Sequence, residues 1–487
     1  MLSKIKQTFS HTIIYSLGNI SSKLIGFIIL PLYTNFLSTG EYGTLAILEI
    51  TSTIFVTIFS LSLSTTMMRW CSDEKSKYRI KSIVFTTLVS SFIIVIFLNL
   101  ILFPFSKSFS TLFFNSENYT SYFQILIISA SFEILNLIAL NLIRFKEKPK
   151  LYISLSIIKI LTVLSFNIYF IKYLNLGIKG VLLSILIGNV LFTILTIPTL
   201  LKNIVWHFYL NELKEMLKYG FPLIFSTISM MLLTMGDRYI IKYYLDYSNV
   251  GIYSLGYKIA SVLNVFIIQS FQTGFLPIAY KNFDKPDAQR FFSKTLTYYT
   301  LILVVTGLSI SLFSEEIITL FSRNIEYNIA YTIVPFISLA FIFKGIQYVF
   351  SLGLHFVKKT KYNAIIVLLA ALINLGLNFI LIPQMGIYGA AIATIFSWLI
   401  MTLAFYKYSN RLYKVKYEIK KIFILVITGI ALYSLSLLFF NFSFILKIIF
   451  KLALLALFPF ILFLFRFYEK IELERLKEFR DKLLRRV

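Results

Sequence analysis

Apolar residues fill this chain in long runs, broken by short polar segments, from one end to the other. Runs of about 18–25 residues match helices that cross a hydrocarbon core about 30 Å thick. The pattern predicts fourteen of them, near 12–34, 44–68, 82–103, 118–143, 151–171, 180–200, 219–240, 251–279, 295–313, 328–350, 362–382, 387–406, 422–440 and 445–465. The first is too long for a signal-peptide core and lacks a small-residue cleavage pattern, so it reads as a retained helix. After the last, Leu473, Leu476, Phe479 and Leu483 recur at intervals of three and four. That spacing predicts an amphipathic helix in the tail 466–487, lying on a membrane surface. The expected fold class is an all-α integral membrane protein.

The polar segments sort by charge. The N-terminus, the loops near 69–81, 144–150, 201–218, 281–294, 358–361 and 407–421, and the tail hold 35 Lys/Arg and 13 Asp/Glu, while the alternate set of loops holds 7 of each. Short basic loops stay cytoplasmic, which places both termini in the cytoplasm of a multi-pass cell-membrane protein and requires an even number of spans. The formal net charge of +25 is therefore mostly topology and not a nucleic-acid signature.

The chain also repeats itself. Glu41-Tyr42-Gly43 after the first run resembles Asn249-Val250-Gly251, with the glycines 208 residues apart, and Gly177-Ile178-Lys179-Gly180 resembles Gly386-Ile387-Tyr388-Gly389 at 209. A common offset implies duplication. The expected organisation is a six-helix bundle at 1–201, a cytoplasmic linker at 202–217, a second six-helix bundle at 218–406, two further helices at 407–465 and the tail. Six is even, so the two bundles are parallel repeats about an axis along the membrane normal.

Composition adds that 58% of residues are hydrophobic and that Cys71 is the single cysteine, which excludes an intrachain disulfide. More telling are the charges inside apolar runs: Lys23, Lys159, Lys258, Lys344, Lys451, Glu49 and Glu133. A charge at bilayer depth costs roughly 2.5–3.5 kcal/mol on insertion scales, so it faces a bundle interior or a wet cavity. Five cations against two anions point to an anionic cargo.

Three segments carry a family resemblance: YSLGNISSKLIGFIILPLYTNFLSTGEYGTLAI at 15–47, KYGFPLIFSTISMMLLTMGDRYIIKYYLDYSNVGIYSLGYKIA at 218–260 and NLGLNFILIPQMGIYGAAIAT at 374–394. With Glu41-Tyr42-Gly43, Asp237-Arg238, Gly251-Ile252-Tyr253 and Ile382-Pro383 through Ala391, the chain resembles the polysaccharide flippases. Their superfamily also holds multidrug and toxin extruders and lipid II flippases. The resemblance implies two bundles around a V-shaped cavity. It also implies a cargo of polyprenyl carrier, diphosphate and sugar, moved from the cytoplasmic to the outer leaflet, with a downstream glycan polymerase or ligase as partner.

Lys23 and Lys159 sit mid-run and cannot easily reach either surface. They are the first candidates to grip a diphosphate, and the alternative for Lys23 is an ion pair with Glu49 or Glu133. Lys258 and Lys344 are the matching candidates in the second bundle, while Lys451 reads more readily as a paired or lipid-facing group. Glu49 and Glu133 are candidates for coupling to H+ or Na+, or for neutralising a lysine. A sodium site would draw on oxygens such as those of Asn136, Asn141 or Ser131. Asp237 and Arg238 are candidates for a gate at the outer mouth or a local network, and Arg69 for cargo admission or plain topology. Pro31, Pro222, Pro277 and Pro335 are expected to bend helices. Neither metal nor other cofactor is expected, because three scattered histidines give no ligand spacing and no HExxH, Walker A or GxSxG sequence is present. Short outer loops disfavour a membrane enzyme. The alternatives to an oligosaccharide flippase are a lipid II flippase and a cation-coupled extruder of drugs or metabolites.

Overall fold

The computed structural model describes residues 26–439, 442–469 and 474. Lys23, the start of the first span and nearly all of the expected amphipathic tail lie outside the described residues. We number the span helices α1 Gly26–Phe36, α2 Thr39–Phe59, α3 Lys77–Leu102, α4 Glu117–Phe145, α5 Pro149–Tyr173, α6 Gly177–Leu201 and α7 Leu210–Met235. Then follow α8 Tyr247–Asn282, α9 Ala288–Leu312, α10 Val334–Phe356, α11 Lys361–Met385, α12 Ile387–Leu412, α13 Ile419–Leu437 and α14 Phe444–Leu464. Thirteen of them, α2 to α14, are long and apolar enough to cross a membrane, and α1 is the described end of the first expected span.

Local chemistry explains where these helices start and break. Ser38 caps α2 through a capping box: its Oγ accepts from the Glu41 amide, and the Glu41 carboxylate accepts from the Ser38 amide at 2.8 Å. The motif residue Glu41 is therefore first a helix cap. The second expected span, read as one run, is in fact two pieces. Leu61 and Ser62 take left-handed backbone conformations, and the chain restarts as the helix Leu63–Asp73. Gly220 of α7 packs on that break, where a Cβ would come within 2.7 Å of the Leu61 carbonyl oxygen. Helix α8 runs 36 residues, through a π-helical turn at Leu263–Ile268, and α5 ends in another at Tyr169–Tyr173. Pro335 occupies a first turn, where the missing amide costs nothing, so it does not bend its helix; α1 is interrupted by a bend at Ile29, two residues before Pro31, and Pro222 and Pro277 lie inside helices. Helix α7 begins at Leu210, inside the segment expected as a linker.

The two glycine turns of the expected repeat share one backbone conformation. Gly177 and Gly386 are the positive-φ glycines among the described residues, at +51° and +59°, each immediately at the start of a span helix. Glycine enters that region without the strain a Cβ brings, which suits it to both positions.

Packing divides the chain into two compact units that are not contiguous in sequence. One holds the described residues through Leu255, with Leu320–Asn328 and Val367–Ala393; the other holds Gly256–Thr319, Ile329–Ile366 and the chain from Thr394. In the first, Leu63, Met67, Cys71, Ile83, Val84, Ile138, Leu142 and Met216 form a buried core cluster. Cys71 is a free thiol there. In the second, Phe275, Phe292, Leu352 and Val415 anchor an aromatic-rich cluster where α8, α9 and α10 meet the 413–417 connector. Helices α5, α13 and α14 bury little of their apolar surface, as lipid-facing helices do.

Candidate functional site

The first unit contains a hydrogen-bonded closure that no sequence motif announced. The Thr34 hydroxyl donates to the Phe321 carbonyl at 2.8 Å, and the Arg323 amide donates to Asn35 Oδ1 at 2.8 Å. Tyr327 donates to the carbonyls of Leu37 and Ser38, and Thr39 Oγ1 lies 2.9 Å from Glu326 Oε2 and 2.7 Å from Ser248 Oγ. Burial pushes the Tyr327 hydroxyl far above its ordinary range, so it stays a donor. Beneath this polar layer, helices α2 and α8 cross backbone to backbone at Gly43 and Gly251. A Cβ on Gly43 would strike the Tyr247 carbonyl and reach 2.9 Å from the Gly251 nitrogen; one on Gly251 would strike the Thr39 carbonyl. The contact is reciprocal: each glycine meets the carbonyl four residues before the other. The repeat signal had marked both glycines, but not that they touch.

Asp237 and Arg238 lie beside this closure as a buried pair, 1% and 5% exposed, and not as rim residues. Their bonds make up the local network that is one of the two readings of this pair. Arg238 Nη1 is 2.5 Å from Asp237 Oδ1 and 2.8 Å from the Thr234 carbonyl, Tyr253 donates to Asp237 Oδ2 at 2.6 Å, and the guanidinium lies 5.0 Å over the Tyr253 ring. The next residue, Tyr239, ties the segment to α2 through Thr51 at 2.8 Å.

Glu49 and Glu133 come together. Both line one cavity of about 240 Å³, with Ser52, Thr53 and Ser129 as polar neighbours and Leu48, Leu126, Leu182 and Ile185 as walls. Helices α2, α4 and α6 supply these residues. Ser129 accepts from Asn189 Nδ2 at 3.0 Å, while the Asn189 Oδ1 is buried and lacks a hydrogen-bond partner. Asn136 and Ser131, considered as sodium ligands, are engaged elsewhere: Asn136 bonds Asn189 and Thr193, and Ser131 bonds Asn99. Lys159 of α5 is half-buried, lies 5.7 Å over the Phe192 ring, and feels the Glu133 charge.

Lys258 and Lys344 belong to the second unit and are half-buried. The Lys344 ammonium sits 5.5 Å from the Phe341 ring and 5.2 Å from the Trp398 ring, an aromatic setting that stabilises a cation. Arg69 stacks on Tyr219 at 4.2 Å, joining the helix Leu63–Asp73 to α7. Lys451 is ion-paired with Glu316 at 2.5 Å. Among the described residues, no group of three or more His, Cys, Asp or Glu side chains could hold a metal ion.

Comparison with known proteins gives these features a context. A family model described as polysaccharide biosynthesis protein matches residues 9–283, and a second, MatE, matches 222–380. A protein named "Probable low-salt glycan biosynthesis flippase Agl15", from Haloferax volcanii, is 24% identical over 38% of this chain and 40% of its own length. An lsg-locus protein of Haemophilus influenzae is 22% identical over 79% of this chain and 95% of its own. Among solved structures, the lipid II flippase MurJ in an inward closed conformation has a TM-score of 0.77 at 18% identity, covering 94% of this chain and 100% of that one. An inward-facing multidrug resistance MATE transporter scores 0.67 at 13% identity, covering 81% and 97%.

Proposed function

We propose, for a chain that belongs to the polysaccharide biosynthesis protein family within the MOP transporter superfamily, a flippase role. Its cargo is a polyprenyl-diphosphate-linked saccharide, carried from the cytoplasmic to the outer leaflet. Family membership makes the chain a multi-pass membrane transporter working by alternating access, and not an enzyme. The observation that carries the cargo reading is the set of half-buried lysines within span helices, Lys159, Lys258 and Lys344. An ammonium held in a partly dry site attracts a diphosphate over a longer range than a neutral donor would.

In this reading both termini are cytoplasmic, and the closure at Thr34–Gly43 seals the outer end. Its contacts must break for cargo to leave. Asp237 and Arg238 stiffen the sealed arrangement, and Arg69 with Tyr219 lies at the opposite, cytoplasmic end of α7. The Glu49–Glu133 cavity is the natural place for a coupling H+ or Na+, because two carboxylates in one low-dielectric cavity favour a shared cation. A glycan polymerase or ligase would consume the product.

A second reading, lipid II as the cargo, draws on the whole-length fold likeness to the lipid II flippase. It also carries a diphosphate, so the lysines serve it equally well. Cation-coupled extrusion of small molecules draws on the likeness to MATE transporters and on the two-carboxylate cavity. The test is leaflet transfer in proteoliposomes of three cargoes: a polyprenyl-diphosphate oligosaccharide, lipid II, and an organic cation. Glycolipid transfer that falls in Lys23→Ala and Lys159→Ala supports the flippase and names the cargo. Cation efflux without glycolipid transfer overturns it.

A further inference from the structure

The second unit holds an open cleft of about 480 Å³ between α8 and the first half of α9. Its lining changes character along α9. Asp287, Arg290 and Lys294 stand where the helix begins, and Tyr298, Tyr299 and Ile302 follow further along. Phe271 walls the cleft from α8, stacked on the Tyr299 ring at 3.8 Å. From Asp287 to Ile302 the helix rises about 22 Å, enough to lead from the membrane surface well into the hydrocarbon. Tyr298 and Ile302 stay exposed, so the apolar half of the cleft is open at its side.

The cleft is lined with donors that have no acceptor. Among the described residues, the side chains of Arg290, Thr295 and Tyr298 have neither an ion pair nor a hydrogen-bond partner. The hydroxyl of Tyr299, a residue 3% exposed, is buried without one as well. Thr297, two residues from Thr295, returns its hydroxyl to the Ser293 carbonyl at 3.1 Å, as helical threonines do, and Thr295 does not. A donor away from water costs free energy until it meets an acceptor. Lys294, by contrast, is already engaged, bonded to Glu418 at 2.8 Å and to Glu469. Arg290 and Asp287 remain, three residues apart and not bonded to each other, as the unpaired charges of the cleft among the described residues.

We propose that this cleft binds a membrane glycerophospholipid with a zwitterionic headgroup. Its phosphate takes Arg290, its ester carbonyls take the hydroxyls of Thr295 and Tyr298, and an acyl chain runs on past Phe271 and Ile302. Arg290 and Thr295 are about 7.5 Å apart along the helix axis. A glycerophospholipid offers its acceptors in that same order, phosphate outermost and ester carbonyls beneath. Asp287 pairs with the headgroup ammonium. One free cation beside one free anion also selects against a diphosphate, whose second negative charge would face Asp287 uncompensated. Bound there, the lipid bridges α8 and α9 at the end where Lys294 gathers Glu418 and Glu469.

The test uses full-length protein purified in mild detergent and phosphatidylethanolamine carrying a photoreactive diazirine early in one acyl chain. Crosslinked peptides should map to α8 around Phe271 and to α9 around Ile302. Arg290→Gln should lower the yield about tenfold, the effect of one charge-assisted hydrogen bond, and Arg290→Lys should keep most of it. Thr295→Val removes one hydroxyl with little change of shape and should lower it about fivefold. Thermal melting without added lipid identifies a misfolded variant, and the wild-type crosslink map decides the question without any variant. Equal labelling by phosphatidylglycerol overturns the headgroup assignment. Labelling by a polyprenyl diphosphate alone assigns the cleft to the cargo and overturns the phospholipid. Unchanged yield in both Arg290→Gln and Thr295→Val reduces the contact to bulk lipid, and no crosslink on α8 and α9 overturns the site.

Discussion

Replacing Gly43 with alanine adds one methyl group where the structure has none to spare. The new Cβ would strike the Tyr247 carbonyl and stand 2.9 Å from the Gly251 nitrogen. Both neighbours are backbone, so neither can swing aside as a side chain would, and α2 and α8 have to part. Overpacking of this kind costs about 1–3 kcal/mol. Parting the helices also stretches the Thr39 bonds to Ser248 and Glu326, worth about 1 kcal/mol each at most. A net loss near 2 kcal/mol moves the balance between closed and open by about thirtyfold. Gly40 supplies the control, because a Cβ there meets nothing within 4 Å. The assay is labelling of Ile252→Cys, a position buried one residue beyond the crossing, by a membrane-impermeant maleimide. Native Cys71 adds little background, since it is buried and its thiol is pushed up to about 12 by desolvation. Labelling about thirtyfold faster in Gly43→Ala than in Gly40→Ala is the expected result. Equal rates would refute the idea that this crossing holds the end shut.

Three further outcomes are expected. If the cavity between α2, α4 and α6 couples transport to a cation, Glu49→Gln and Glu133→Gln should each abolish stimulation by a pH or sodium gradient, and unchanged stimulation in both would remove that role. Asp237→Asn should cost about 3–5 kcal/mol in the melting equilibrium, because the buried guanidinium of Arg238 loses its bond to the Asp237 carboxylate; a wild-type melting curve would count against it. Glu418 and Glu469 hold Lys294 and Lys421 in one network. Desolvation works against ionisation of Glu418, but its bonds from Lys294, Thr297 and Lys421 win and hold its carboxyl below the ordinary value; the Lys294 bond does the same for Glu469. The network therefore stabilises fully above about pH 4.3, the unperturbed glutamate value, and fades as pH falls through the lower folded values. Melting followed from pH 6 to pH 3 should drop more steeply in wild type than in Glu418→Gln.

Hydropathy made the helices legible because lipid leaves the backbone no alternative to internal hydrogen bonding. The matching turns at Gly177 and Gly386 were legible as a glycine pair, since a left-handed conformation there favours glycine. Other features were not. The break at Leu61–Ser62 carries no proline or glycine, and the residue that leaves room for it, Gly220, lies far along the chain. The polar closure draws on Thr34, Asn35, Thr39, Ser248, Glu326 and Tyr327, ordinary loop residues whose meaning depends on which loops meet. Glu49 and Glu133 could each be picked out as costly charges. That they share one cavity depends on the rotation of three helices about their axes, which their composition does not encode.

The twin turns at Gly177 and Gly386 also supply a ruler between the two copies. At their offset, Glu133 of the first copy corresponds to Ile342 of the second, and Lys159 to Leu368. In the two-copy reading Glu49 corresponds to Lys258 at the same offset, so an ionisable group recurs there with its sign reversed, while Glu133 and Lys159 have apolar counterparts. A duplication that reverses one buried charge and replaces others by apolar residues would let each copy specialise. The copy with Glu49, Glu133 and Lys159 and the copy with Lys258 and Lys344 can diverge in what they bind while still moving as matched halves of one machine.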